Sequence, residues 1–160
     1  VVENVDTAWT NEFQDGEEII IPLKINKLVK SIRKDQGEIL FPYFIGYLED
    51  PSWEVRSSVC RTLSFLRLPQ AIPYLEKAAC DTDWVVRGNA VRALGKLGEA
   101  GKEALMRLLS QPDRYARDAA LAILEGQGFV DRELIKLDSP IASEADEARK
   151  FFSPSYTLIL

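Results

Sequence analysis

Three arginines, Arg56, Arg87 and Arg117, stand 31 and then 30 residues apart, and Asp50 and Asp81 precede the first two by six residues. Guanidinium forks repeated at a fixed spacing suit an anion such as a phosphate or carboxylate. The ladder of Asp50, Arg56, Asp81, Arg87, Asp113 and Arg117 suits a structural task equally, pairing each unit with the next and closing its turns. Recurrence in every unit is what stacking requires, so the structural role is preferred. At the third copy Gln111 replaces the aspartate, and Asp113 is expected to take over the cap. Trp53, Trp84 and Tyr115 keep the same interval. Aromatic side chains beside a basic groove can stack bases, but Asp50, Glu54, Asp81, Asp83 and Asp113 make these surroundings acidic. The rings are therefore expected to pack under the preceding turns.

Other chemistry is sparse. The chain has no histidine, which removes imidazole acid–base catalysis, Ser-His and Cys-His nucleophile pairs and histidine metal sites. Cys60 and Cys80 are the only cysteines, too few for a disulfide scaffold or a zinc site, and they point to a reducing compartment. Together with Met106 they are expected at packing positions on helices. Gly95-Lys96-Leu97-Gly98 and Gly126-Gln127-Gly128 lack the strand and the Gly-Lys-Ser/Thr context of a phosphate loop. No catalytic residue, metal ligand or cofactor is assigned, and the chain is expected not to be an enzyme.

The residues that recur must be positioned by elements that recur. Asp50-Pro51-Ser52-Trp53-Glu54-Val55-Arg56 aligns with Asp81-Thr82-Asp83-Trp84-Val85-Val86-Arg87, and Gln111 to Arg117 follows. Val59, Ala90 and Ala120 coincide, then Leu63, Leu94 and Leu124, on one helical face. Phe41-Pro42-Tyr43-Phe44 aligns with Ile72-Pro73-Tyr74-Leu75, which begins a second helix with a proline near its first turn. Gly98 and Gly128 close two of the first helices, where a left-handed residue is favoured. The spacing predicts an all-α solenoid of about four helix–turn–helix units, since one pair cannot cover its own apolar stripe. The units are 17–50, 51–80, 81–110 and 111–137, after an acidic arm or linker over 1–16 and before a capping helix and apolar tail over 138–160. Lys24 to Lys34 is the expected first helix of unit 1, and a short helix is expected from Ser143 to Phe152.

The chain has 160 residues, 46% apolar and 28% charged, with a net charge of −5. It can bury a core, and its charge opposes duplex binding, which releases counterions through lysine and arginine. Residues 36–137 hold 13 bases and 14 acids, against a DNA-binding concave face. No run approaches the length of a membrane span, and the acidic start does not resemble a signal peptide.

These motifs resemble the HEAT-like repeat family, in particular its short bacterial kind with Asp-x-x-(Trp)-x-Val-Arg-x-x-Ala-x-x-Ala-Leu-Gly-x-Leu. Asp81, Asp83, Trp84, Val86, Arg87, Ala90, Ala93, Leu94, Gly95 and Leu97 match best, and the likeness covers about residues 37–128. The resemblance implies a right-handed superhelix with the second helices on the concave side. There, Phe41, Phe44 and Leu48 are expected to face inward, leaving Tyr43, Tyr47, Tyr74, Lys77 and Arg107 as the candidate partner-binding residues. Tyrosine and arginine are enriched at interface hot spots, although amphipathic tyrosines on a half-wet ridge need no partner. Lys24, Lys27, Lys30 and Lys34 form a basic face that suits an anionic surface or simply a solvated outer side.

The function expected is a non-enzymatic scaffold that binds another protein on its concave face, in the cytoplasm. The partner is another protein, with no nucleic acid and no membrane span in this chain. A role like that of HEAT-like bilin lyases is an alternative, as is a membrane-tethered adaptor whose anchor lay in a lost N-terminal segment. Deoxyhypusine hydroxylases share the architecture, but they use His-Glu metal motifs, for which this chain has no histidine.

Overall fold

The computed structural model describes residues 37–153. Among them run eight α-helices: α1 Gly37–Gly46, α2 Trp53–Leu66, α3 Ile72–Ala78, α4 Trp84–Leu94, α5 Gly98–Leu108, α6 Arg114–Gly126, α7 Phe129–Leu137 and α8 Ala142–Phe151. Short 3-10 turns, Tyr47–Glu49 and Pro69–Ala71, follow α1 and precede α3. The helices alternate in two layers. In the first, α2 lies against α4 and α4 against α6; in the second, α3 packs on α5. Each first helix also rests on a neighbouring second helix, as α4 does on α3 and α6 on α5. This stacking of neighbours is the α-solenoid that the repeat predicts.

The core follows the repeat register. Val59, Ala90 and Ala120 are completely buried, as are Leu63, Leu94 and Leu124. Leu75 and Leu105 do the same for the second helices. One polar tie crosses the first layer, where Asn89 donates to the buried Ser57 Oγ at 2.7 Å.

The start of each first helix is fixed by a side-chain cap, which satisfies amides that have no partner inside the helix. Ser52 Oγ accepts from the Val55 amide, Asp83 Oδ1 from Val85 and Val86, and Asp113 Oδ1 from Ala116. Asp113 therefore occupies the cap position of Asp83, two residues after Gln111, as Asp83 is two after Asp81.

The ends of the first helices share a left-handed residue. Gly98 and Gly128 both have φ +65°, and the equivalent residue after α2 is Arg67, at φ 52°. Unit 2 thus makes the turn without glycine. The proline alignment holds only in part: Pro73 lies in the first turn of α3, but Pro42 is inside α1. The reason is that α1 begins at Gly37, well before the aligned start, so Pro42 removes an interior amide. The helix expected over Lys24–Lys34, the arm expected over 1–16 and the residues beyond Ser153 lie outside the described residues.

Candidate functional site

The aspartate–arginine ladder and the exposed ridge of the second helices are the two places where repeated polar residues meet. In the ladder, the Asp50 and Asp81 carboxylates accept from the amides of Ser52 and Asp83, two residues on, and so shape the turn before each first helix. Arg56, Arg87 and Arg117 each donate through Nη1 to two carbonyls of their own turn: Asp50 and Pro51, Asp81 and Thr82, Gln111 and Pro112.

Only Arg56 among them reaches an acid of the next unit. Its Nε and Nη2 hold Asp81 Oδ2 and Oδ1 at 2.7 and 2.8 Å. Burial pushes the Asp81 carboxyl up, but the hydrogen bonds from Arg56 and from the Asp83 amide outweigh it and hold the group below the usual range. The Asp81 hydrogen bond raises the Arg56 guanidinium. The equivalent of Asp81 in the next unit is Gln111, which offers Arg87 no carboxylate, and the Arg87 guanidinium sits 4.9 Å over the Tyr115 ring. The three arginines thus close the turns of their own units, and within the row only the Arg56–Asp81 pair ties one unit to the next through an ion pair.

The aromatic row departs from expectation. Trp53 packs against the core, but Trp84 and Tyr115 are 73% and 66% exposed. They lie in the first turn of helices whose inward positions are already filled by Val86 and Ala116. Trp84 stands two residues before the first buried position of its helix and Tyr115 one residue before, so both rings lie off the buried face. The cysteines also separate: Cys60 is buried on α2, whereas Cys80 follows α3 in a turn and is exposed. Met106 is half-buried against the core, as expected.

On the second helices, Tyr43, Tyr47, Tyr74, Lys77 and Arg107 are all exposed, while Phe44 is buried and Phe41 and Leu48 pack against the core. Tyr74 presents its edge to Phe41, with centroids 5.8 Å apart. Sequence reasoning missed the acids that bind the two cations. Lys77 Nζ meets Glu49 Oε1 at 2.6 Å, and Arg107 Nε meets Glu76 Oε1 at 2.9 Å, which raises the Arg107 guanidinium. Glu76 and Arg107 stand 31 residues apart, so the repeat interval itself was the available signal.

Tyr74 and Lys77 line one groove of about 450 Å³, closed by Leu48 and Glu49 of unit 1 and by Asp81 and Thr82 of unit 3. Tyr43, Tyr47 and Arg107 stand outside it. Among the described residues no group of three or more Cys, Asp or Glu is gathered as a metal centre, and no helix is long and apolar enough to cross a membrane.

Paired helices stacked in two layers with a recurrent aspartate–arginine turn define an α-solenoid of the HEAT type. The model of the HEAT repeats matches residues 41–125, just over half of the chain, which belongs to that family. The chain is similar to deoxyhypusine hydroxylase of Aspergillus clavatus, 34% identical over 105 residues, covering 60% of this chain and 31% of the relative. It also matches subunit PurQ of phosphoribosylformylglycinamidine synthase from Streptomyces avermitilis, 36% identical over 52 residues, 28% of this chain and 22% of that one. The chain therefore spans under a third of the length of these curated relatives. A solved structure of an engineered protein aligns with TM-score 0.34 and 20% identity, over 71% of this chain and 61% of that one.

Proposed function

We propose that the chain is a non-enzymatic scaffold that binds a partner protein along the ridge of its second helices, centred on Tyr74 and Lys77. The observation that supports this reading is the open groove between α3 and the end of unit 1, with one aromatic wall and one charged wall. A partner side chain entering it meets the apolar faces of Leu48 and Tyr74 and the exposed Lys77–Glu49 pair. An exposed pair of this kind contributes about 0–1 kcal/mol, so it opens at little cost and can pair again with charges of a partner. The similarity to a hydroxylase covers repeats, and this chain supplies no imidazole to a metal. Two unpaired thiols suit a reducing compartment, and we place the protein in the cytoplasm.

The test compares wild type with a Tyr43→Ala/Tyr74→Ala/Arg107→Ala variant as baits in source-cell lysate. Proteins held by wild type alone are then purified and titrated against both. A partner whose affinity falls at least tenfold with the variant supports the ridge. Equal binding to both baits, or no partner that survives purification, removes it.

A further inference from the structure

We propose that the ends of α2 and α4 form a cationic docking edge for an acidic segment of a partner protein, on the first-helix layer and apart from the ridge of the second helices. The edge is built two by two. Arg61 on α2 and Arg92 on α4 are equivalent positions 31 residues apart, and Phe65 and Lys96 follow them by four residues each. Residues four apart on a helix share a face, and α2 lies against α4. Arg61 is half-buried, Arg92 and Lys96 are exposed, and the Phe65 ring is 59% exposed among them. Arg67, exposed in its left-handed turn, adds a fourth cation just past the end of α2.

None of these four cations makes an ion pair among the described residues, whereas Arg56, Lys77, Arg107 and Lys136 each hold an acid. Arg92 has a neutral partner only: Nη1 donates to Asn89 Oδ1 at 3.2 Å, and Asn89 in turn donates to Ser57 on α2. The chain around them is stripped of acids, since residues 57–75 and 84–98 contain no Asp or Glu. Three acids border the edge. Glu99 is taken by Lys102, while Glu38 and Glu125 stand at the start of α1 and near the end of α6. Four cations against those two carboxylates leave the edge positive on a chain of net charge −5.

A helix end attracts cations through its dipole, but that field fades within the last turn, and Arg61 lies more than a turn before the end of α2. The dipole also gives no reason for an exposed phenylalanine among the cations. A segment that carries carboxylates and an apolar side chain answers both features. Its acids meet the guanidinium forks in charge-assisted hydrogen bonds, and its apolar group covers Phe65. The net negative charge of the chain disfavours nucleic acid as the occupant.

The experiment titrates the full chain with a capped Gly-Glu-Glu-Leu-Glu-Glu-Gly peptide, and with its glutamine counterpart as control, following backbone amides by heteronuclear NMR. The acidic peptide is expected to shift the amides of residues 61–67 and 92–96 saturably, and less at high salt; the glutamine peptide is not. Arg61→Gln/Arg92→Gln is expected to weaken binding about three- to tenfold, and Phe65→Ser to weaken it as well. Lys150→Gln, which removes an exposed cation of α8, should leave it unchanged. Thermal melts confirm that each variant is folded. Shifts confined to other residues, equal shifts with the glutamine peptide, unchanged affinity in either edge variant, or an equal loss in Lys150→Gln overturns the proposal. Binding that appears only once residues 1–18 are deleted also overturns it, because the edge would then belong to the chain's own acidic start. So does binding to phosphatidylserine vesicles without any peptide shift, which assigns the edge to a membrane.

Discussion

Across the junction of units 2 and 3, Arg56 and Asp81 face each other with side chains only 13% and 12% exposed, joined by two hydrogen bonds at 2.7 and 2.8 Å. Removing one partner leaves the other charge half-buried with donors or acceptors unmet, which costs about 1–3 kcal/mol. Asp81→Asn is expected to lower the unfolding free energy by that amount in urea titrations. Arg56→Lys should destabilise as well, since an ammonium cannot make the fork.

The same pair gives the acid response a sign. The Asp81 carboxyl is held below its ordinary value of 3.8 in the folded protein. Its contribution is fully present above that ordinary value and is lost as pH falls through the lower folded one. Denaturant melts repeated at successively lower pH should show wild type losing stability faster than Asp81→Asn, with the two curves converging at the acid end.

Arg67 stands in the left-handed region, at φ 52°, where Gly98 and Gly128 serve the other units. A side chain there costs about 1–2 kcal/mol, partly offset by the greater freedom that glycine has in the unfolded chain. Arg67→Gly is expected to stabilise by about 0.5–1 kcal/mol, read as a rise of the thermal midpoint. Gly98→Ala should move it in the opposite direction.

At Gly101 the constraint is space. A Cβ there would lie 2.0 Å from the Leu94 carbonyl oxygen and 2.8 Å from Leu97 Cβ. Gly101→Ala must push α5 away from the end of α4, at a cost of about 1–3 kcal/mol. Circular dichroism melts check it, and a midpoint equal to wild type would contradict the close approach.

The thiols should differ sharply in reactivity. Burial pushes Cys60 up to about 12, and it also raises the exposed Cys80, helped by the Asp113 charge. Reaction with a disulfide reagent needs the thiolate. Native protein is expected to titrate one thiol, more slowly than a free cysteine near neutrality, and unfolded protein to titrate two. Cys80→Ser should leave the native protein inert.

The layered fold was legible because it is written several times: Val59, Ala90 and Ala120 repeat a burial that one copy would have left ambiguous. What repetition could not reveal is where one copy solves the same problem differently. Arg67 hides a left-handed turn because nothing in an arginine announces it. Trp84 and Tyr115 were assigned to packing by residue type, but the first buried position of each helix falls two and one residues later, at Val86 and Ala116. The cations Lys77 and Arg107 were found, whereas Glu49 and Glu76 were not, since exposed acids are common and only the interval between Glu76 and Arg107 marks them out.

The exchange of Asp81 for Gln111 between successive turns has a mechanical consequence. The junction before α4 is clamped by an ion pair and by a first-layer contact along most of α2, whereas α6 meets α4 less extensively. That second seam is held in part by Gln127 reaching the Gly95 carbonyl at 2.8 Å and by Arg87 on an exposed ring. The seam between α4 and α6 is therefore the weaker of the two, and an array pulled from its ends is expected to open there before the Arg56–Asp81 junction parts.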